Sequence, residues 1–241
     1  MNRAQPVILL AGGSEDSPDL FYASGFRTSG AAIFVQRGAD EKHLVVPAME
    51  YGRAAREAAG ATVYTPDMLG LRKKRNRRVS DWAIGLLRKL QASRATVPGF
   101  FPLALARRVE AAGIRLHVAT SELFPARQQK RPDEIRKISG AQQAAVIAMR
   151  AAVRAIGSAE IDPAGNLKSG GRHLTAEAVK QIITRSLLDH RCFCRELIVA
   201  GGRQGVDPHE RGHGPLRAHE PIVMDIFPQH MEHGYWGDLT R

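Results

Sequence analysis

Two acids near the C-terminal end of the sequence, Asp225 and Asp238, stand thirteen positions apart. Asp225 continues the apolar run Pro221-Ile222-Val223-Met224, where a carboxylate is costly to bury unless it is paired or bound to a cation. Pro228 and Gly234 then signal a chain reversal. A second extended run, from Tyr235 to Thr240, carries Asp238 between Gly237 and Leu239. Two strands joined in this way can place both acids side by side on one face. Like charges at that range repel, and one or two divalent cations remove the repulsion. The chemistry on offer is activation of a bound water. The plainer alternative is an acid pair held by arginine or by backbone donors.

Other residues compete for a chemical role. His209, after Pro208, lies in a loop rich in glycine and histidine. His213, His230 and His233 suit a zinc ion by type, but His230 and His233 lie on a turn, where a solvated role is the ordinary one. His190, Cys192 and Cys194 do not have a zinc spacing, and two cysteines so close on one strand make no disulfide framework. Gly12-Gly13 ends a short strand, but no phosphate-binding pattern surrounds it. The run Arg72-Lys73-Lys74-Arg75-Asn76-Arg77-Arg78 could grip phosphates. It has no interleaved aromatic residue for stacking on bases, and it reads first as a solvated loop.

The elements that must position these residues fall into two halves. At 241 residues the chain can bury a real core, and its 44% hydrophobic and 24% charged residues are ordinary for a globular protein. No apolar stretch is long enough to span a bilayer, so no membrane partner is expected, and a reducing cytoplasm fits the cysteine usage. In the first half, short apolar runs at 7–10, 31–35, 43–46, 62–64, 95–97 and 114–118 alternate with helical stretches at 50–59, 80–91 and 102–112, which argues for a layered α/β sheet. Ser80-Asp81 reads as the cap of the second of these helices. In the second half, Pro132-Asp133-Glu134 opens a long helix with Ile135, Ile138, Ala141, Ala145, Ala148 and Met149 near helical spacing. A loop is expected at 166–171, a helix capped by Thr175, and a strand at 197–200.

The second half resembles the pita-bread metallopeptidases, in the branch of aminopeptidase P (Xaa-Pro aminopeptidase) and prolidase. The resemblance is carried by Asp225, by Gly234-Tyr235-Trp236-Gly237-Asp238-Leu239-Thr240-Arg241, by Pro208-His209 and by Lys130-Arg131-Pro132-Asp133-Glu134-Ile135. Residues before it, including Asp19-Leu20-Phe21-Tyr22 and Glu50-Tyr51-Gly52-Arg53-Ala54, are similar to the family's N-terminal domain. The resemblance implies a creatinase-like α/β domain with a mixed sheet flanked by helices over 1–126, and the first part of an α+β pita-bread domain over 127–241. It implies that Asp225 chelates one metal and Asp238 bridges two, with manganese, cobalt, iron or zinc as the ions. His209 matches the histidine that contacts substrate and steadies the tetrahedral intermediate or helps move a proton. Proline-containing peptides are the implied substrates, cleaved before proline, and a homodimer is the implied assembly. The spacing of the two acids is slightly wider than is common in the family, by an even change that keeps Asp238 on the same face.

The family's three further ligands, one His and two Glu, belong to later strands than any in this sequence. The expectation is therefore a chain that ends after the first two ligands, is inactive by itself, and carries an open apolar sheet edge prone to association. The missing acids would offset part of the net charge of +11. A non-catalytic binding protein is the alternative, keeping the fold and using Arg72, Lys73, Lys74, Arg75, Arg77 and Arg78 on nucleic acid.

Overall fold

The computed structural model describes residues 7–14, 17–28, 30–58, 60–71 and 78–241. The chain divides into two compact units, Met1–Gln128 and Gln129–Arg241.

The first unit is built on β1 (Val7–Gly12), α1 (Pro18–Ser24), β2 (Ala32–Arg37), β3 (Glu41–Val45), α2 (Tyr51–Glu57), β4 (Ala61–Tyr64), α3 (Val79–Lys89), β5 (Arg94–Val97), α4 (Leu103–Ala111) and β6 (Arg115–Val118). Its six strands form one sheet in the order β4-β3-β2-β1-β5-β6. Pairing is mixed: β1 is antiparallel to β2 and β2 to β3, while β3–β4, β1–β5 and β5–β6 are parallel. Both faces are covered. Ile33, Val35, Val7 and Leu9 pack with Leu86, Leu87 and Val109 of α3 and α4. Phe34, Ala32 and Leu10 pack with Leu20 and Ala54 of α1 and α2. Burial on both faces is why these strands read as continuous apolar runs instead of alternating ones.

Helix α3 begins earlier than the sequence suggests. Arg78 is its N-cap, and its backbone N–H donates to the Asp81 carboxylate at 3.1 Å, so Asp81 acts from the first turn and Ser80 is already helical. Of the basic run, Arg78 alone is described; Arg72, Lys73, Lys74, Arg75 and Arg77 lie outside the described residues.

The second unit comprises α5 (Pro132–Gly157), β7 (Glu160–Ile161), β8 (Leu167–Ser169), β9 (Arg172–His173), α6 (Ala176–Asp189), β10 (Cys192–Phe193), β11 (Ile198–Gly201), β12 (Ile222–Ile226), β13 (Gln229–His230) and β14 (Leu239–Thr240). Helix α5 presents a stripe of small residues, Ala141, Ala144, Ala145, Ala148 and Ala152, which lets α6 approach closely with Val179, Ile183 and Leu187. Ile135 does not join that stripe; it is exposed, and Glu134 is buried beside it. Thr175 caps α6, its hydroxyl accepting from the Ala178 N–H at 3.2 Å. Residues 166–171 are not a plain loop. They carry β8, which pairs antiparallel with β9 across Gly170 and Gly171, at φ +58° and +74°. Positive φ at two successive residues is the demand of a tight hairpin turn, and glycine meets it without strain.

The sheet that matters for chemistry has three strands in the order β11-β12-β14, antiparallel throughout. One face buries Val199, Met224 and Ile226 in the core shared with α5 and α6. The other face carries the odd-numbered positions of β12, Asp225 among them.

Candidate metal-binding hairpin

Asp225 pairs with Thr240 and Ile226 with Leu239, and further along Gln229 bridges Trp236 in the same register. Backbone bonds hold this ladder at both ends. Met224 and Arg241 exchange two bonds of 2.8 Å, and the Gly237 N–H donates to the Pro228 carbonyl at 2.9 Å. The register sets Asp238 across from Phe227. Alternation then puts Asp225, Thr240 and Asp238 on one face, with the two acids diagonal to each other. Diagonal neighbours in a sheet stand about 7–8 Å apart at Cα and closer at the side chains.

Each acid is held by a neighbour that carries no charge. The Thr240 hydroxyl donates to Asp225 Oδ1 at 2.6 Å. The Asp238 N–H donates to the Gln142 side-chain oxygen of α5 at 2.9 Å. Among the described residues neither carboxylate has an arginine or lysine ion-pair partner. Gly237 explains how α5 comes so near: a Cβ there would lie 2.7 Å from the backbone of Ala141 and Gln142. The hairpin is tied to the same helix by the Tyr235 hydroxyl, which donates to Glu134 Oε1 at 2.7 Å. Burial pushes the Tyr235 hydroxyl far above its ordinary range, and the bond to Glu134 and its charge push it further. Burial alone would raise Glu134. The Arg131 N–H, the Tyr235 hydroxyl and the Arg131 charge outweigh it and hold the carboxyl below its usual value. Beside the strand, the half-buried Cys194 thiol is raised chiefly by burial and further by the charges of Asp225 and Glu196, against the backbone N–H groups of Phe227 and Glu196.

His209 is exposed in the loop after β11, its backbone N–H donating to Asp207 Oδ1 at 3.0 Å. Among the described residues no hydrogen bond or ion pair joins it to Asp225 or Asp238. His230 and His233 stack with ring centroids 3.8 Å apart and planes within 6°. Each Nδ1 accepts a backbone N–H, from Glu232 and Tyr235 respectively, at 3.2 Å. Among the described residues no group of three or more His, Cys, Asp or Glu side chains converges as a metal cage. The donor set at the hairpin is thus two carboxylates. They suit hard divalent cations by type, and they form part of a coordination shell, since such ions take more ligands than two carboxylates supply.

Thr240, Gln142 and Gly237 were not singled out by residue type. Thr240 lies two positions from Asp238 in the same extended run, so alternation puts it on the same face. Gln142 lies far off in sequence, in a helix, and nothing in its spacing marks it.

A family model described as Creatinase/Prolidase N-terminal domain matches residues 14–140. The chain belongs to this creatinase/prolidase family. Solved structures extend the likeness to nearly the whole chain. The prolidase from Pyrococcus furiosus aligns with TM-score 0.73 and 18% identity, over 98% of this chain and 64% of its own. The Xaa-Pro dipeptidase from Bacillus anthracis aligns with TM-score 0.75 and 15% identity, over 98% and 59%. The X-Pro aminopeptidase from Thermotoga maritima MSB8 aligns with TM-score 0.73 and 19% identity, over 98% and 61%. A search of curated protein sequences finds no match. The fold is therefore the family's mixed-sheet N-terminal domain followed by part of the pita-bread domain, and the chain spans about 60% of the length of the structures it matches. No described helix is long and apolar enough to cross a membrane.

Proposed function

We propose that this chain serves a metal-dependent exopeptidase of the Xaa-Pro class, which hydrolyses the peptide bond preceding proline. The observation that carries the reading is the common register of β12 and β14, which puts Asp225 and Asp238 diagonally on one face, with no cationic side chain among the described residues paired to either. In this reading Asp225 and Asp238 hold divalent cations, of which manganese, cobalt, iron and zinc are the candidates. Bound cations supply an activated water and polarise the substrate carbonyl.

The chain's own residues orient and exclude. Thr240 keeps one Asp225 oxygen turned along the sheet, leaving the other free to ligate. Gln142 fixes the backbone of Asp238 against α5, and Gly237 permits that approach. His209 is assigned to the substrate, donating a hydrogen bond to the developing oxyanion or carrying a proton. Proline-containing peptides as substrates, a homodimer and a cytoplasmic setting belong to the same reading and rest on the family likeness.

Titration calorimetry with manganese on the 241-residue chain tests the metal assignment apart from catalysis. Asp238→Asn and Asp225→Asn are expected to weaken manganese binding roughly tenfold or more, the loss of one charged ligand. Equal manganese affinity in the wild type and in the double variant would overturn the reading. In an enzyme form that also carries the further ligands, release of the N-terminal residue from an Xaa-Pro peptide, abolished by Asp238→Asn, is the catalytic counterpart.

A further inference from the structure

The second unit holds a cleft of about 550 Å³, whose lining includes Gly202, Arg203, Gln204, His213, Arg217 and Glu220. That volume is in the range of small-molecule sites, roughly 300–1,000 Å³. The polar groups around it are not equivalent.

Gln204 grips His213 at three points. Its Oε1 accepts the His213 backbone N–H at 3.0 Å, and its Nε2 donates to the His213 carbonyl at 3.0 Å. A backbone N–H can only donate and a carbonyl can only accept, so the amide can point one way only. The same Nε2 lies 2.9 Å from His213 Nδ1, which must therefore accept. The proton of the neutral ring is then on Nε2, where it is a donor.

The loop that carries His213 is itself clamped. Lys180 Nζ donates to the Gly212 carbonyl at 2.7 Å, and the Glu177 carboxylate accepts the Gly214 N–H at 3.1 Å. Gly212 sits so close to β11 that a Cβ would overlap the Val199 carbonyl.

The charges in the cleft do not cancel. Arg217 uses three of its five N–H groups within the protein: Nε donates to Glu220 Oε1 at 3.1 Å, Nη1 to Asn166 Oδ1 at 3.4 Å and Nη2 to the Ala164 carbonyl at 3.0 Å. Glu220 is thereby neutralised. Arg203 is exposed and has no ion pair among the described residues. One uncompensated positive charge, on Arg203, and the neutral N–H of His213 line the same cleft.

The geometry points to a binding site for a small carboxylate in this cleft, received by the Arg203 guanidinium and the Nε2–H of His213. A guanidinium fork matches a carboxylate in shape and charge. A dianionic phosphate would bring a second charge that the single uncompensated guanidinium does not neutralise.

The test follows the His213 ring by ¹⁵N–¹H NMR in the 241-residue chain while adding acetate, N-acetylglycine, N-acetylglycinamide or inorganic phosphate. The free protein is expected to show the Nε2–H tautomer. Acetate and N-acetylglycine are expected to shift the Nε2 resonance saturably, and the uncharged amide is not. Tighter binding of N-acetylglycine than of acetate identifies a peptide C-terminus as the natural ligand, and equal binding identifies a free small acid. Arg203→Gln is expected to weaken both roughly tenfold or more, with Arg203→Lys restoring part of the affinity. Unchanged affinity in Arg203→Gln, binding of the amide equal to that of the acid, tighter binding of phosphate, or no saturable shift would each overturn the assignment. No metal is needed, so the result stands apart from the proposed peptidase activity.

Discussion

The two sheets of this chain use the same building rules and reach opposite ends. The sheet of the first unit is packed on both faces, so Val7 to Ala11 of β1 and Ala32 to Val35 of β2 each meet a core. The sheet β11-β12-β14 has one face in the core with α5 and α6, and its other face carries Asp225, Thr240 and Asp238 beside the buried Ile198 and Ala200. Between two cores a bare carboxylate is costly, and the ion pair Arg37–Glu41 sits at the ends of β2 and β3. A sheet whose second face is only partly covered leaves some alternate positions for chemistry and uses the rest as anchor. The comparison teaches that reactive residues can sit in the middle of a ladder without weakening it, provided their parity is right.

The largest expected effect tests that parity directly. In the first unit, neighbours on opposite faces should both be expensive to truncate. Phe34→Ala is expected to cost about 3–5 kcal/mol and Ile33→Ala about 2–5 kcal/mol by denaturant unfolding. In the second unit, Met224→Ala is expected to cost about 2–5 kcal/mol. Asp225→Ala, one position on, removes a bond to a hydroxyl and should cost about 1 kcal/mol. Comparable losses at Met224 and Asp225 would break the contrast.

Next in size is the buried link between hairpin and helix. Tyr235→Phe removes the hydroxyl that donates to the Glu134 carboxylate and should cost about 1.5–3 kcal/mol. Its pH dependence has a definite sign. Glu134 is held below its ordinary 4.5, so its contribution is present above that value and is lost as pH falls through the lower, folded value. Tyr235 is raised above its ordinary 10.0, chiefly by burial, so its contribution is present below that value and is lost as pH rises through the higher, folded value. Stability of the wild type should therefore decline at both extremes more steeply than that of Tyr235→Phe, and an ultraviolet phenol titration should show one tyrosine ionising last.

The smallest of the three concerns Gly237→Ala, expected to cost about 1–3 kcal/mol by overpacking against α5. Faster hydrogen exchange should be confined to the Asp238 N–H and the Gly237–Pro228 bond. An unperturbed Asp238 N–H would mean that the helix does not set the position of the acid.

The legibility of the two regions follows the same contrast. The first unit's strands were readable because burial on both faces leaves unbroken apolar runs such as Ile33-Phe34-Val35. The hairpin of β8 and β9 was not, because Lys168, Ser169, Arg172 and His173 are polar and each strand is only two or three residues long. The start of α3 was displaced because Asp81 caps from inside the helix, where residue type alone suggests a cap outside it. At the candidate site the two carboxylates were legible by type and spacing, since an acid in line with Ile222-Val223-Met224 is conspicuous. Gln142 and Glu134 were not, since what gives them their roles is contact across a long stretch of chain.

That last contact has a bearing on how the molecule is made. Glu134 and Tyr235 lie 101 residues apart in sequence. On a ribosome the first turn of α5 emerges with its carboxylate solvated and waits until the hairpin has been synthesised before that group can be enclosed. The helix can form early by local bonds, but its first turn can be sealed only after nearly all of the second unit is in hand, which makes the order of synthesis and the order of assembly run in opposite directions at this point.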